Sequence, residues 1–255
     1  GEGVIASNSH ANFGERAVLS GDGTNLAVIG KHQGTSNRAI YLFTFDDTNF
    51  SNATLVGVIS GQSSSYDRLY LNGMVPIQLD LDSDGDRLVF NTIGGGSTYS
   101  SRYPSRSHGI AGQDILFTIK FSDTNFSNPE VVGIMSTQLS SRQKYDTSGN
   151  LIVHSQNDLH LDMGRYDGFS GYGDKGSLSL NGDGSRLVIG VPGDNSTDPM
   201  VYLISFSDAN FSSPSVTGKI GVDHTGAKDL DISSDAAITQ NRLLNSTNFI
   251  FGCVL

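Results

Sequence analysis

The stretch FDDTNFSNATLVGVIS, residues 45–60, returns as FSDTNFSNPEVVGIMS at 121–136, with the six letters DTNFSN identical in both copies. A looser third copy, FSDANFSSPSVTGKIG, occupies 206–221. Recurrence on this scale marks a repeat architecture, in which each unit is one supersecondary structure that buries its apolar face only against its neighbours.

Working outward from the first copy, ERAVLSGDGTNLAVIGKHQGTSNRAIYLFTF at 15–45 holds three apolar runs of strand length. Asp22-Gly23 separates the first two, a turn signal between Val18-Leu19 and Leu26 to Ile29. The third run, Ile40 to Phe45, enters the DDTNFSN segment, and TLVGVIS follows as a fourth. The expected unit is a four-stranded meander. Its order recurs as PIQLDLDSDGDRLVF, QDILFTIKF and the second NFS segment, and again as GSLSLNGDGSRLVIGV, MVYLISF and the third. Asp84-Gly85 and Asp183-Gly184 stand at the corresponding turns. The NFS segment is then the corner between third and fourth strands. Asp47, Asn49, Asp123, Asn125, Asp208 and Asn210 suit Asx-type turns there, and Phe50, Phe126 and Phe211 can tuck beneath their neighbours.

Units of about 50 residues with four strands and an early D-G turn are what propeller blades look like in sequence. The expectation is one all-β domain over 1–255, a small β-propeller of four or five four-stranded blades. Full units span about 12–60, 72–136 and 172–221, and 137–170 supplies a degenerate unit. The last unit, 222–255, has three strands; EGVIAS at 2–7 resembles LVGVIS at 55–60, so residues 1–8 are expected to complete it and close the ring.

Composition agrees with this class. Gly, Ser, Asn, Asp and Thr abound and Trp is absent, which fits short strands joined by tight turns. A net charge of −10 repels phosphate backbones and anionic membranes, so no nucleic-acid partner is expected. No apolar run nears the roughly 20 residues of a spanning helix, so membrane insertion is not expected either. GEGVIAS lacks the basic and apolar regions of a signal peptide, so the chain reads as a mature product or an excised piece. The single cysteine, Cys253, makes no internal disulfide and reads as a buried thiol.

FGERAVLSGDGTNLAVIG and GYGDKGSLSLNGDGSRLVIGVPGDN, each leading to an NFS corner, resemble the FG-GAP-like repeats of large bacterial surface exoproteins and adhesins. Phe13-Gly14 and Tyr172-Gly173 stand at the FG position and Gly190-Val191-Pro192 at the GAP position. The second unit has neither, and the first has Gly30-Lys31-His32 in place of GAP. The resemblance implies a propeller-like extracellular or cell-surface module with no catalytic role, one that binds other copies, other surface proteins or glycans.

Two sets of side chains are candidates for chemistry. LDLDSDGDRL places Asp80, Asp82, Asp84 and Asp86 on one tight loop, the oxygen ligands a Ca²⁺ ion takes, although Leu88 fills the position where the integrin-type loop ends on an acid. A solvated turn is the competing reading. The second set lies on loops expected at one rim, where Tyr66 with Arg68, Tyr103 with Arg102, Tyr145 with Lys144 and Tyr166 with Arg165 pair an aromatic face with a cation. Such pairs stack on sugars or anchor protein contacts, or else pack their own loops.

An enzyme is not expected. A propeller glycosidase needs two carboxylates facing across a cleft, and Glu2, Glu15 and Glu130 are the only glutamates; Asp67, Asp146 and Asp167 could share the rim without a mark of acid or base. The six histidines have no metal-ligand spacing, although His154 and His160 could approach each other, and no nucleophile motif is present. A lectin-like propeller, and behind it a glycosidase, are the alternatives to the adhesion or assembly module.

Overall fold

The structure, a computed structural model, describes residues 13–31, 38–60, 67–70, 75–93, 115–136, 144–145, 151–152, 158–161, 177–191, 200–221 and 230–231. Among these there is no helix. The first unit is built from β1 (Arg16–Leu19), β2 (Asn25–Lys31), β3 (Arg38–Thr44) and β4 (Thr54–Ser60), paired antiparallel in chain order. The second uses β6 (Val75–Leu81), β7 (Arg87–Ile93), β8 (Ile115–Lys120) and β9 (Glu130–Ser136) in the same way. The third uses β13 (Ser177–Leu180), β14 (Arg186–Val191), β15 (Met200–Ser205) and β16 (Ser215–Gly221). The all-β class and the three repeated meanders are therefore observed.

Each sheet also carries a short fifth strand, parallel to the fourth, that the repeat unit above does not contain. β5 (Asp67–Tyr70) lies on β4, β12 (Leu159–His160) on β9, and β17 (Leu230–Asp231) on β16. Most of 137–170, where a degenerate unit is expected, lies outside the described residues. β10 (Lys144–Tyr145) pairs with β11 (Leu151–Ile152), while Leu159–His160 belongs to the second sheet. Leu230–Asp231, expected in the last unit, likewise belongs to the third. The physical reason is edge satisfaction, because the fourth strand would otherwise expose a row of unpaired backbone groups. Closure through residues 1–8 falls outside the described residues.

The three corners adopt one conformation. The Oδ1 atoms of Asp47, Asp123 and Asp208 each accept from two backbone N–H groups, at 2.9 and 3.2 Å, 2.9 and 3.1 Å, and 2.7 and 3.3 Å. Phe50, Phe126 and Phe211 have φ of 60°, 56° and 59°, a left-handed backbone that costs a bulky residue energy and persists only where packing holds it. The packing partner is the phenylalanine just after the third strand: Phe45–Phe50, Phe121–Phe126 and Phe206–Phe211 pair edge to face at 5.1, 4.9 and 4.9 Å. A bulge also recurs, since Val56, Val132 and Thr217 are each the extra residue just before the fourth strand's glycine.

Stacking follows from alternation along the strands. Ala27, Ile29, Ile40, Leu42 and Ile59 of the first sheet meet Leu79, Leu88, Phe90, Phe121 and Phe126 of the second in one core. The opposite face of the second, with Val89, Leu116 and Met135, meets Leu187, Ile189, Tyr202, Phe206 and Phe211 of the third. A sheet covered on both sides needs apolar residues at successive positions, and AIYLFTF and RLVF supply them.

Candidate functional site

The two ends of the stack differ chemically. At one end lie the D-G turns SGDGTN (20–25), DSDGDR (82–87) and NGDGSR (181–186). In each, the first side chain accepts from the N–H of the sixth residue: Ser20 Oγ from Asn25 at 3.0 Å, Asp82 Oδ1 from Arg87 at 3.1 Å, and Asn181 Oδ1 from Arg186 at 2.7 Å. A hydroxyl, a carboxylate and an amide thus perform the same structural task. The turns also touch one another, with Asp22 N–H donating to Ser83 O at 3.2 Å and Ser83 N–H to Gly182 O at 2.9 Å.

This arrangement accounts for the acidic loop. Asp82 accepts in addition from Gly85 N–H at 2.9 Å and from Arg87 Nη1 at 2.7 Å, and its side chain is fully buried. Burial pushes its carboxyl above the usual range, with the Arg87 hydrogen bonds pulling the other way. Asp86 shares the same Arg87 nitrogen at 2.7 Å, and Asp84 is exposed at the tip. Asp80 is turned to the third sheet, where its Oδ2 accepts from Leu180 N–H at 2.6 Å and its Oδ1 from Leu81 N–H at 3.0 Å. The structure does not gather the four carboxylates around one point. Among the described residues, no group of three or more acidic, histidine or cysteine side chains is placed to hold a metal ion.

Asp80 is a strut between units. Burial raises its carboxyl above the ordinary value, against the N–H groups of Leu180 and Leu81, and Asp82 adds repulsion. Folded Asp80 therefore holds its proton to higher pH than the unfolded chain does. Its contribution to stability is fully present below the unfolded value and is lost as pH rises through the folded one. Asp80→Ala leaves the Leu180 N–H without its partner and is expected to destabilise the protein by about 1–3 kcal/mol. Denaturant titrations should show this cost growing as pH falls from about 7 to about 4. A cost that shrinks over that interval contradicts the assignment.

At the opposite end β2, β7 and β14 finish, β3, β8 and β15 begin, and β4, β9 and β16 finish. The connections there differ from unit to unit: 32–37, 94–114 and 192–199. Of the rim residues, Tyr66, Arg102, Tyr103, Arg165 and Tyr166 lie outside the described residues. Arg68 is in β5 rather than on a loop, as the extra residue of a bulge between Asp67 and Leu69. Tyr145 is in β10, opposite Leu151. Of the carboxylates weighed for a glycosidase, Glu15 is ion-paired to Arg38 and Glu130 is exposed at the start of β9.

The sequence carries a signal for one feature beyond the repeated meanders. DLHLD (158–162) and DLDIS (229–233) share an Asp-Leu element that marks the fifth strands, and DRLYL (67–71) carries it with Arg68 interposed. Leu69, Leu159 and Leu230 sit opposite Ile59, Met135 and Ile220, which are equivalent positions, and Asp158 Oδ1 accepts from Ile134 N–H at 2.9 Å. The inter-unit struts at Asp80 and Asn25 have no such signature.

This fold and these turns define an all-β repeat protein. No family model matches the chain, and no curated protein matches it. Among solved structures it is similar to prolyl oligopeptidase B from Galerina marginata, bound to a 35mer hydrolysis and macrocyclization substrate, at 11% identity and a TM-score of 0.31. The match covers 80% of this chain and 29% of that one, so the chain spans less than a third of that protein's length. So distant a likeness says nothing of activity.

Proposed function

We propose that the chain is a non-catalytic extracellular repeat module whose sheets are blades of a small propeller, and that it builds or decorates a surface assembly through its rim loops. The observation that carries this reading is the contrast between the two ends. The turn end repeats the same hydrogen bonds in each unit and spends its carboxylates on backbone N–H groups and on Arg87. The rim end varies from 32–37 to 94–114, and variable connections on a rigid scaffold are where binding proteins place recognition. The FG-GAP-like resemblance adds the surface location, and the tyrosine–cation pairs supply the means of contact.

Arg102→Ala combined with Tyr103→Ala tests it. The double variant is expected to bind at least about 30-fold more weakly to immobilised wild-type chain or to a polysaccharide-coated surface, with its melting temperature unchanged. Lowered thermal stability with binding intact would mean that these side chains pack their own loop.

A further inference from the structure

We propose that the outer edge of β9 is a strand-accepting groove for an extended segment of the pattern Asp-Leu-x-Leu, filled in this chain by its own residues 158–161 as a displaceable strap, and that a partner protein docks by supplying the same pattern. The site is a sheet edge rather than a rim loop, so it stands or falls apart from the rim contacts proposed above.

The strap shows what the groove recognises. Asp158 Oδ1 accepts from Ile134 N–H at 2.9 Å, so a carboxylate satisfies a backbone donor of β9. The main chain then runs parallel to β9, with Leu159 opposite Met135 and His160 opposite Ser136. Leu161 is 1% exposed and joins Val89, Leu116, Met135 and Leu187 in the core between the second and third sheets, and Leu159 packs against the same cluster. Alternate residues of an extended strand share a face, which is why the two leucines stand two apart. Main-chain pairing along an edge, with alternate side chains received in pockets, is how a sheet takes up a peptide strand.

Repetition separates recognition of the pattern from mere connectivity. The pattern returns as Asp229-Leu230-Asp231-Ile232 and, with Arg68 interposed, over 67–71. Leu69, Leu159 and Leu230 lie opposite Ile59, Met135 and Ile220, equivalent positions of the three fourth strands. Yet the connections that deliver them, 61–66, 137–158 and 222–229, differ in length and sequence. A tight turn fixes the register of an antiparallel neighbour, and a parallel neighbour has no such turn. The register therefore comes from the segment's own side chains, and a segment held that way docks equally well when it belongs to another chain. At β9 all four positions of the pattern lie among the described residues, and the strap pairs with the strand at only two of them, so little main-chain bonding is lost when another segment replaces it.

Fluorescence anisotropy with a labelled synthetic peptide, SQNDLHLDMG (155–164), tests the proposal on the whole chain. Leu159→Ala combined with Leu161→Ala removes both anchors and vacates the groove. This variant should melt at a lower temperature than wild type, and saturating peptide should raise its melting temperature again. It should bind the peptide at least about 30-fold more tightly than wild type, whose own strap competes. A control peptide with serine at both leucine positions should bind the variant at least about 30-fold more weakly. A photoreactive residue at the first leucine position should cross-link to β9 at or beside Met135, read by mass spectrometry. The proposal is overturned if the peptide binds the vacated chain no better than wild type, if the serine peptide binds equally, or if the cross-links fall outside β9. Should the double variant fail to fold, Asp158→Ala replaces it, since it loosens the strap and leaves the core filled. Tighter peptide binding than wild type then supports the groove, and unchanged binding contradicts it.

Discussion

Phe126→Ala is expected to destabilise the protein by about 3–5 kcal/mol, and Phe50→Ala by only about 1 kcal/mol. The two residues share sequence context, φ near +60° and an edge-to-face partner, so local conformation does not separate them. What separates them is cover. Phe126 is wholly enclosed between the first and second sheets, and removing its ring opens a cavity lined by residues of both. Phe50 retains solvent on more than half its surface, so its removal loses part of the Phe45 contact and leaves no void. Alanine relieves no strain at either site, because it still carries a Cβ at positive φ. Equilibrium denaturation of the two variants checks the difference. Equal costs would mean that the corner acts alone and that stacking contributes nothing to it.

The legible part of the fold is what repeats locally. Two strands about a D-G turn, a third run and an NFS corner are each specified within a dozen residues, and all three copies adopt one geometry. The fifth strand was harder to read because it pairs with the fourth across a connection whose length changes, 61–66 in one unit and 137–158 in another. Two-residue strands such as Leu159–His160 are also too short to show alternation. The acidic loop illustrates a different limit. Asp80, Asp82, Asp84 and Asp86 look like one ligand set along the chain, yet Asp80 accepts from Leu180 of the third sheet, Asp82 and Asp86 share Arg87, and Asp84 is exposed. The partner of Asp80 is Leu180, 100 positions away, and nothing near Asp80 announces it.

The central claim is that repeat units distant in the sequence stack through their turns. Ser83 N–H meets Gly182 O at 2.9 Å, and a Cβ at position 182 would stand 3.6 Å from Ser83 Cβ, within the span a disulfide bridges. Gly182 has no positive φ, so it accepts a cysteine. Ser83→Cys with Gly182→Cys, in a Cys253→Ser background, should therefore oxidise readily in the folded protein. Closing a loop of roughly 100 residues should then raise stability by about 2–4 kcal/mol over the reduced form. The measurement is the fraction of cross-linked chain formed under native conditions, read by mass spectrometry with the melting temperature beside it. Near-complete closure with a raised melting temperature is the expected result; thiols that stay free until the protein is unfolded would contradict the stacked arrangement.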